Sequence, residues 1–145
     1  MNRQINTDKL DEILKKTSVS DYDSYIEDEN ILPEYTISSY FNEQIARHGL
    51  SPAAIIEKSM LSREYAYQIL NGRKKNPGRD KIIALCLGAD MSYREIQRVL
   101  KIAGQGILYS KNGRDAAMIV CINNGITSVE DINEFLKSKD YLPLS

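Results

Sequence analysis

Helix-start and helix-stop signals follow one another closely along residues 49–104, and they constrain the fold more than any other feature of the sequence. Serine precedes several runs in which apolar residues recur at three- and four-residue spacing, and glycine ends most of these runs. The start signals are Ser51, Ser62 and Ser92, and the stop signals are Gly49, Gly72, Gly88 and Gly104. Serine caps helix N-termini, and glycine readily adopts the left-handed conformation that follows a C-terminus. The pattern therefore predicts a succession of short helices.

The same helical spacing continues on both sides of this region, and alternation of β-branched residues is nearly absent, so we predict an all-α protein. On the N-terminal side we expect a helix at residues 7–16, a second at about 19–28 and a linker at 29–36. On the C-terminal side we expect a helix ending at Gly125 and a last helix capped by Thr127 or Ser128. Glu130 is placed to complete a capping box with Thr127.

Charge is distributed unevenly among three segments. Residues 1–36 hold four Lys/Arg and nine Asp/Glu (−5), residues 37–105 hold eleven and six (+5), and residues 106–145 hold four and five (−1). We interpret them as an acidic helical arm, a central domain with an anionic partner, and a helical hairpin that serves packing or dimerisation. One hypothesis is that the arm masks the central domain from DNA; the alternative is that it folds on a remote face.

The most informative stretch is Leu50–Gly72, where two helices of about eight residues are joined by a turn near residues 59–61. The loop NGRKKNP follows, and then an apolar helix, IIALC. This arrangement resembles the helix-turn-helix of the phage-repressor/Cro (Xre-type) family over about residues 37–103. The resemblance implies a five-helix lambda-repressor-like domain, here with flanking N- and C-terminal helices.

The resemblance also implies that the helix at residues 62–71 is a recognition helix in the major groove of double-stranded DNA. Its candidate base-contacting residues are Ser62, Arg63, Glu64, Tyr67 and Gln68. The candidate phosphate-contacting residues are Ser51, Asn71, Arg73, Lys74 and Lys75. Arginine pairs with guanine, glutamine with adenine, and an apolar ring with the thymine methyl group. On the same helix we expect Tyr65 and Ile69 to belong to the core.

Four positions depart from the family pattern. Ile56 and Ala66 reverse the small and branched residues that pack where the two helices cross. Met60 stands where the family turn usually holds glycine, so either methionine adopts a left-handed conformation or the turn differs. Pro52 replaces a glutamine that often contacts phosphate.

Two functions are therefore open. The first is a sequence-specific transcriptional regulator that binds DNA as a homodimer, because one recognition helix reads only a few base pairs. The alternative is a protein-interaction adaptor that keeps the fold without DNA binding, which Pro52, Met60 and the net charge of −1 favour. A continuous basic rim around Arg63 and Gln68 would favour DNA, and an apolar patch centred on Tyr67 would favour a protein partner.

Other classes of function find no support in the sequence. There is one histidine, no glycine-rich phosphate loop and no catalytic grouping of Ser, His, Asp or Cys, so we expect no enzyme. Cys86 and Cys121 are interpreted as buried thiols, and with one histidine they are too few for a zinc site. We therefore expect no metal and no cofactor. No secretion signal or apolar run of membrane-spanning length is present, so the expectation is a cytoplasmic protein without a membrane partner.

Overall fold

The computed structural model describes residues 7–16, 18–19 and 35–145, and the regular structure in these ranges is entirely α-helical. The prediction of an all-α chain is confirmed for this part. The helices are α1 (Thr7–Lys16), α2 (Ile37–His48), α3 (Pro52–Ser59), α4 (Arg63–Leu70), α5 (Arg79–Gly88), α6 (Tyr93–Ile102), α7 (Gly113–Asn123) and α8 (Val129–Ser138).

The N-terminal helix α1 matches the prediction for residues 7–16, with Asp8 in its first turn and Lys15 and Lys16 in its last. This order of charges suits the helix dipole. The helix predicted at 19–28 lies outside the described residues apart from position 19, and so does most of the predicted linker. The acidic arm is therefore described only in part, and the masking hypothesis stays a prediction. Tyr35–Ser145 forms a compact unit separate from that of α1.

The three serine start signals are confirmed as caps. The side-chain oxygens of Ser51, Ser62 and Ser92 each accept a hydrogen bond from the backbone N–H three residues later, at 3.3, 3.3 and 3.2 Å. Gly49 and Gly104 have φ of 60° and 69°, the left-handed conformation expected beyond a helix end. Local hydrogen bonding therefore sets the ends of these helices.

Two of the predicted helix-terminus signals, one at the end of α5 and one at the start of α8, differ from the structure. Gly88 is the last residue of α5 and is followed by Ala89 with φ −89°, so it is not a left-handed cap. A Cβ atom at Gly88 would lie 2.3 Å from the Ile55 carbonyl oxygen, so this glycine permits close packing of α3 on α5. The capping box between Thr127 and Glu130 is also wrong. Ser128 caps α8 instead, and its Oγ accepts from the Asp131 N–H at 3.0 Å.

The core is built around α5, whose residues 82–88 are all buried. This helix packs against α3, α6 and α8, while α2 contacts α4 and α6, and α7 contacts α6 and α8. Met118, Ile132 and Leu136 of the C-terminal hairpin are fully buried in the same core cluster as Phe41 and Ile69. Residues 106–145 therefore pack on the central helices, and dimerisation through the hairpin stays a prediction.

Two bidentate ion pairs join the start of α5 to the start of α7. Arg79 donates to both oxygens of Asp115 at 2.9 and 2.8 Å, and Arg114 donates to both oxygens of Asp80 at 3.1 and 2.9 Å. The Asp115 side chain is only 7% exposed. Its Oδ2 also accepts the Tyr109 N–H at 3.0 Å. Fork-to-fork geometry of this kind fixes orientation, so the pairs determine how the hairpin sits on the core.

Replacing Asp115 with asparagine is expected to lower the free energy of unfolding at neutral pH by about 2 kcal/mol, because the Arg79 guanidinium loses its charged partner. Burial by itself raises the pKa of Asp115, but the hydrogen bonds from Arg79 and Tyr109 and the charges of Arg79 and Arg114 outweigh it and hold the pKa below its usual value. The stabilisation is thus present above the ordinary aspartate pKa of about 4 and is lost as the pH falls through the lower, folded-state pKa.

Urea denaturation at pH 7 and pH 3 measures the free energy of unfolding of the Asp115→Asn variant and of the unmodified protein. The difference between the two free energies should be smaller at pH 3 than at pH 7. The control is Lys58→Gln, which removes an exposed pair in which Lys58 and Asp90 lie 3.9 Å apart. It should cost less than about 0.5 kcal/mol. A difference that is equally large at both pH values would contradict the assigned role of the Asp115 charge.

Candidate nucleic-acid interface

The turn between α3 and α4 is formed without glycine. Met60 has φ 61° and ψ 13°, so methionine adopts the left-handed conformation that the sequence left as one of two options. Ser59 supports the turn from inside: its buried hydroxyl donates to the Ile56 carbonyl at 2.6 Å and accepts from the Leu61 N–H at 3.2 Å. These bonds help offset the cost of a left-handed non-glycine residue, about 1 kcal/mol.

The reversed sizes at the contact of α3 and α4 are accommodated in the core. Ile56 is 6% exposed and Ala66 is completely buried. The two helices pack directly on each other, and both residues belong to the single core cluster. Exchanging the large and the small partner roughly keeps the total volume, which packed interiors tolerate. Both residues of the reversed pair are therefore accommodated in the core.

Helix α4 turns Ala66, Ile69 and Leu70 into the core and leaves the candidate base-contacting residues on its other side. The exposed members are Ser62, Arg63 and Glu64, and the half-buried members are Tyr67 and Gln68. The guanidinium carbon of Arg63 lies 5.6 Å from the centre of the Tyr67 ring, one helical turn away. The structure therefore brings the five candidates together on one side of a short helix whose opposite side is fixed by packing.

Tyr65 is only half-buried, which corrects its assignment to the core; Ile69 is fully buried as predicted. The side-chain nitrogens of Lys74 and Lys81 each lie 5.6 Å from the centre of the Tyr65 ring. The ring thus supports two cations, an arrangement worth about 0.5–1 kcal/mol at exposed sites. Lys81 was missed from the sequence, because it lies in the first turn of α5 and its position beside Lys74 depends on how α5 packs.

The loop after α4 is held by hydrogen bonds. The Asn71 side-chain oxygen accepts the Arg73 N–H at 2.9 Å, and the Lys74 N–H donates to the Gln68 carbonyl at 2.8 Å. Pro77 is buried, and the Gln105 amide donates to its carbonyl at 3.3 Å. The loop is therefore fixed to the C-terminal end of α4. Since the Asn71 oxygen is occupied, its NH₂ group is the part of that side chain available to a phosphate.

Cations project from both ends of α4, and among the described residues they have no acidic partners. Within the described ranges, no carboxylate lies within salt-bridge distance of Arg63, Arg73, Lys74, Lys75 or Lys81. Arg73, Lys74 and Lys75 are exposed, as is Ser51 at the start of α3. Unpaired surface cations beside an exposed helix face are suited to neutralising phosphates. The candidate phosphate-contacting residues therefore flank the candidate base-contacting ones.

An apolar groove of about 460 Å³ lies beside α4. It is lined by Ala53, Ile56, Glu57, Met60, Leu61, Arg63 and Tyr67. Two of its walls, Arg63 and Tyr67, are also candidate base-contacting residues. Met60 is 64% exposed, so a large apolar side chain stands at its edge. The groove therefore adjoins the candidate base-contacting face of α4 at Arg63 and Tyr67.

The remaining polar chemistry of the described residues is sparse. No three His, Cys, Asp or Glu side chains converge there in a way that would hold a metal ion. Cys86 and Cys121 are buried and unpaired, as predicted, and burial raises the pKa of both thiols. None of the helices in these ranges has the length and apolar character needed to cross a bilayer.

Comparison of the chain with protein-family models, with curated proteins and with solved structures gives no match.

Proposed function

We propose that this chain is a sequence-specific, DNA-binding transcriptional regulator of the phage-repressor/Cro (Xre) type, with a lambda-repressor-like domain at residues 37–103. The observation that carries the proposal is the surface of α4. Arg63, Glu64 and Gln68 share the solvent-facing side of a helix that is fixed by packing, and the cations that flank it have no carboxylate partner among the described residues. A helix presented in this way fits the major groove, while the flanking cations fit the phosphates.

Each candidate residue has a role that follows from its chemistry. Arg63 pairs with the O6 and N7 atoms of guanine, Gln68 with the N6 and N7 atoms of adenine, and the Tyr67 ring contacts a thymine methyl group. Glu64 accepts from cytosine N4, and Ser62 donates its hydroxyl hydrogen to a nearby base or phosphate, because its oxygen already caps α4. The short helix spans only a few base pairs, so the proposal includes a homodimer on two half-sites.

The groove beside Tyr67 favours a second candidate function, a protein-interaction adaptor. An exposed, mostly apolar concavity is a common feature of surfaces that bind protein side chains. The groove supports the adaptor, whereas the exposed cations at the two ends of α4 support DNA binding. We favour DNA because Arg73, Lys74 and Lys75 are exposed in the loop after α4 and have no carboxylate partner in the described part of the chain, and a site for an apolar side chain does not need such cations.

Selection of bound fragments from random DNA distinguishes the two candidates. A regulator enriches one sequence with two similar half-sites, and the purified complex contains two protomers. An adaptor enriches no sequence at any salt concentration.

Replacing Lys74 with alanine is expected to weaken binding to every DNA sequence alike and to lower the salt dependence of binding by about one unit in the slope of log K against log salt, because one phosphate contact is lost. Titrations at several salt concentrations measure the slope. Lys74→Arg keeps the charge and should keep the slope, and Lys137→Ala, an exposed lysine on α8, should leave it unchanged. An unaltered slope in Lys74→Ala would remove this lysine from the phosphate contacts.

A further inference from the structure

The C-terminal end of α4 has a hydrogen-bonding requirement that its own loop meets only in part. The last four carbonyl groups of a helix have no partner within the helix. Three of those in α4 are paired with N–H groups of the following loop: Tyr67 with Asn71 at 2.8 Å, Gln68 with Lys74 at 2.8 Å, and Ile69 with Gly72 at 3.3 Å. The remaining carbonyl, that of Leu70, has its partners on another helix.

Two side chains of α2 bind the Leu70 carbonyl oxygen. The Ser38 hydroxyl donates to it at 2.6 Å, and the Asn42 amide donates to it at 3.0 Å. The same amide nitrogen lies 2.9 Å from the Ser38 carbonyl oxygen one turn earlier, which orients it. Ser38 and Asn42 thus form a clamp (the α2 clamp) on the last residue of α4.

The clamp also lies beside the start of the basic loop. A Cβ atom at Gly72 would be 3.6 Å from both the Cβ and the Oγ of Ser38, so the start of the loop lies beside this serine. Gly72 has φ 82°, the left-handed conformation that starts the loop's change of direction. The end of α4 and the beginning of the basic loop are therefore located by the same serine.

We propose that Ser38 and Asn42 are positioning residues for base reading, which rests on the function proposed above. Base-specific hydrogen bonds require side chains held to within about 0.5 Å. Ala66 and Ile69 anchor α4 in the core by apolar contacts, which are not directional. The α2 clamp adds directional bonds at the end of the helix and so fixes its rotation and axial position. Neither clamp residue is among the candidate DNA contacts.

The test is the ratio of affinities for the selected DNA sequence and for random DNA, measured in variants of the full chain. The ratio should fall about tenfold in the double variant Ser38→Ala, Asn42→Ala. The lost hydrogen bonds contribute about as much free energy to holding α4 in position as one base contact contributes to discrimination. Affinity for random DNA and its salt slope should stay unchanged, because no cation is removed. Ser38→Thr keeps the hydroxyl donor and should retain the ratio, whereas Asn42→Asp loses the donor and should lower it.

Ser39→Ala is the control for a general loss of stability. Ser39 is on the same helix, but among the described residues its hydroxyl bonds only to Thr36 in the cap of α2. This variant should lower the melting temperature without lowering the ratio. If it lowers the ratio as much as the clamp variants do, or if the clamp variants retain the full ratio, the positioning role is wrong. If the unmodified protein itself shows no preference between sequences, the proposed function fails instead.

Discussion

Replacing both Arg63 and Gln68 with alanine should abolish most of the discrimination between selected and random DNA. Each residue is placed to make one bidentate base contact, and each such contact is worth about 1–3 kcal/mol of discrimination. The side chains lie on successive turns of α4, so their effects should add to about 2–6 kcal/mol, which is roughly a thirtyfold loss at the lower limit. Competition binding with the selected sequence and with random DNA measures this loss.

The single variants distinguish base contacts from phosphate contacts. Arg63→Ala should relax the requirement for a guanine, and Gln68→Ala the requirement for an adenine, at different positions of the site. Lys74→Ala, in contrast, should weaken binding to all sequences alike. Identical behaviour of the three variants would show that Arg63 and Gln68 contact phosphates, and the division into reading and anchoring residues would then have to be abandoned.

Replacing Gly88 with alanine should lower the free energy of unfolding by about 3 kcal/mol or more. The new Cβ would lie 2.3 Å from the Ile55 carbonyl oxygen and 2.9 Å from the Ser59 backbone nitrogen. Both atoms belong to the backbone of α3, so the helix itself must shift, and overpacked cores typically lose about 1–3 kcal/mol even where side chains can adjust. The melting temperature should fall by roughly 6–12 °C.

Because Ser59 immediately precedes the turn into α4, the shift should also disturb DNA recognition in whatever fraction of Gly88→Ala stays folded. The matched control is Gly106→Ala, where an added Cβ has no neighbour within 4 Å. That variant should change the melting temperature by less than a few degrees. Equal stability of the two variants would mean that α3 and α5 are less tightly packed than the structure indicates.

The sequence predicted the helices well because their boundaries depend on neighbours three or four residues away. A serine cap bonds to the N–H group three residues later, and Gly49 needs only its own conformational freedom to end α2. The capping box wrongly predicted at the start of α8 also depends on close neighbours in the sequence. Thr127 and Ser128 are adjacent candidates for one cap, and the register that the chain adopts makes Ser128 the cap and Asp131 its partner.

The candidate site was predicted in part. Arg63, Tyr67 and Gln68 could be named because the resemblance to the phage-repressor/Cro family implies a recognition helix at residues 62–71, and the structure places all three outside the core. Lys81 could not be named, because it comes from α5 and meets Lys74 only over the Tyr65 ring. The groove beside Tyr67 likewise exists only where α3, the turn and α4 meet.

Local hydrogen bonding and side-chain periodicity, which the sequence alone specifies, determined that this chain is helical in its described part, where its helices begin and end, and which face of α4 is free. Only the tertiary structure decided what holds these helices in place. The contacts of Ser38 with Leu70, of Gly88 with Ile55 and of Arg79 with Asp115 join residues about 30 positions or more apart. No local pattern encodes such pairs, because their free energy is realised only when packing of the whole core brings the two partners together.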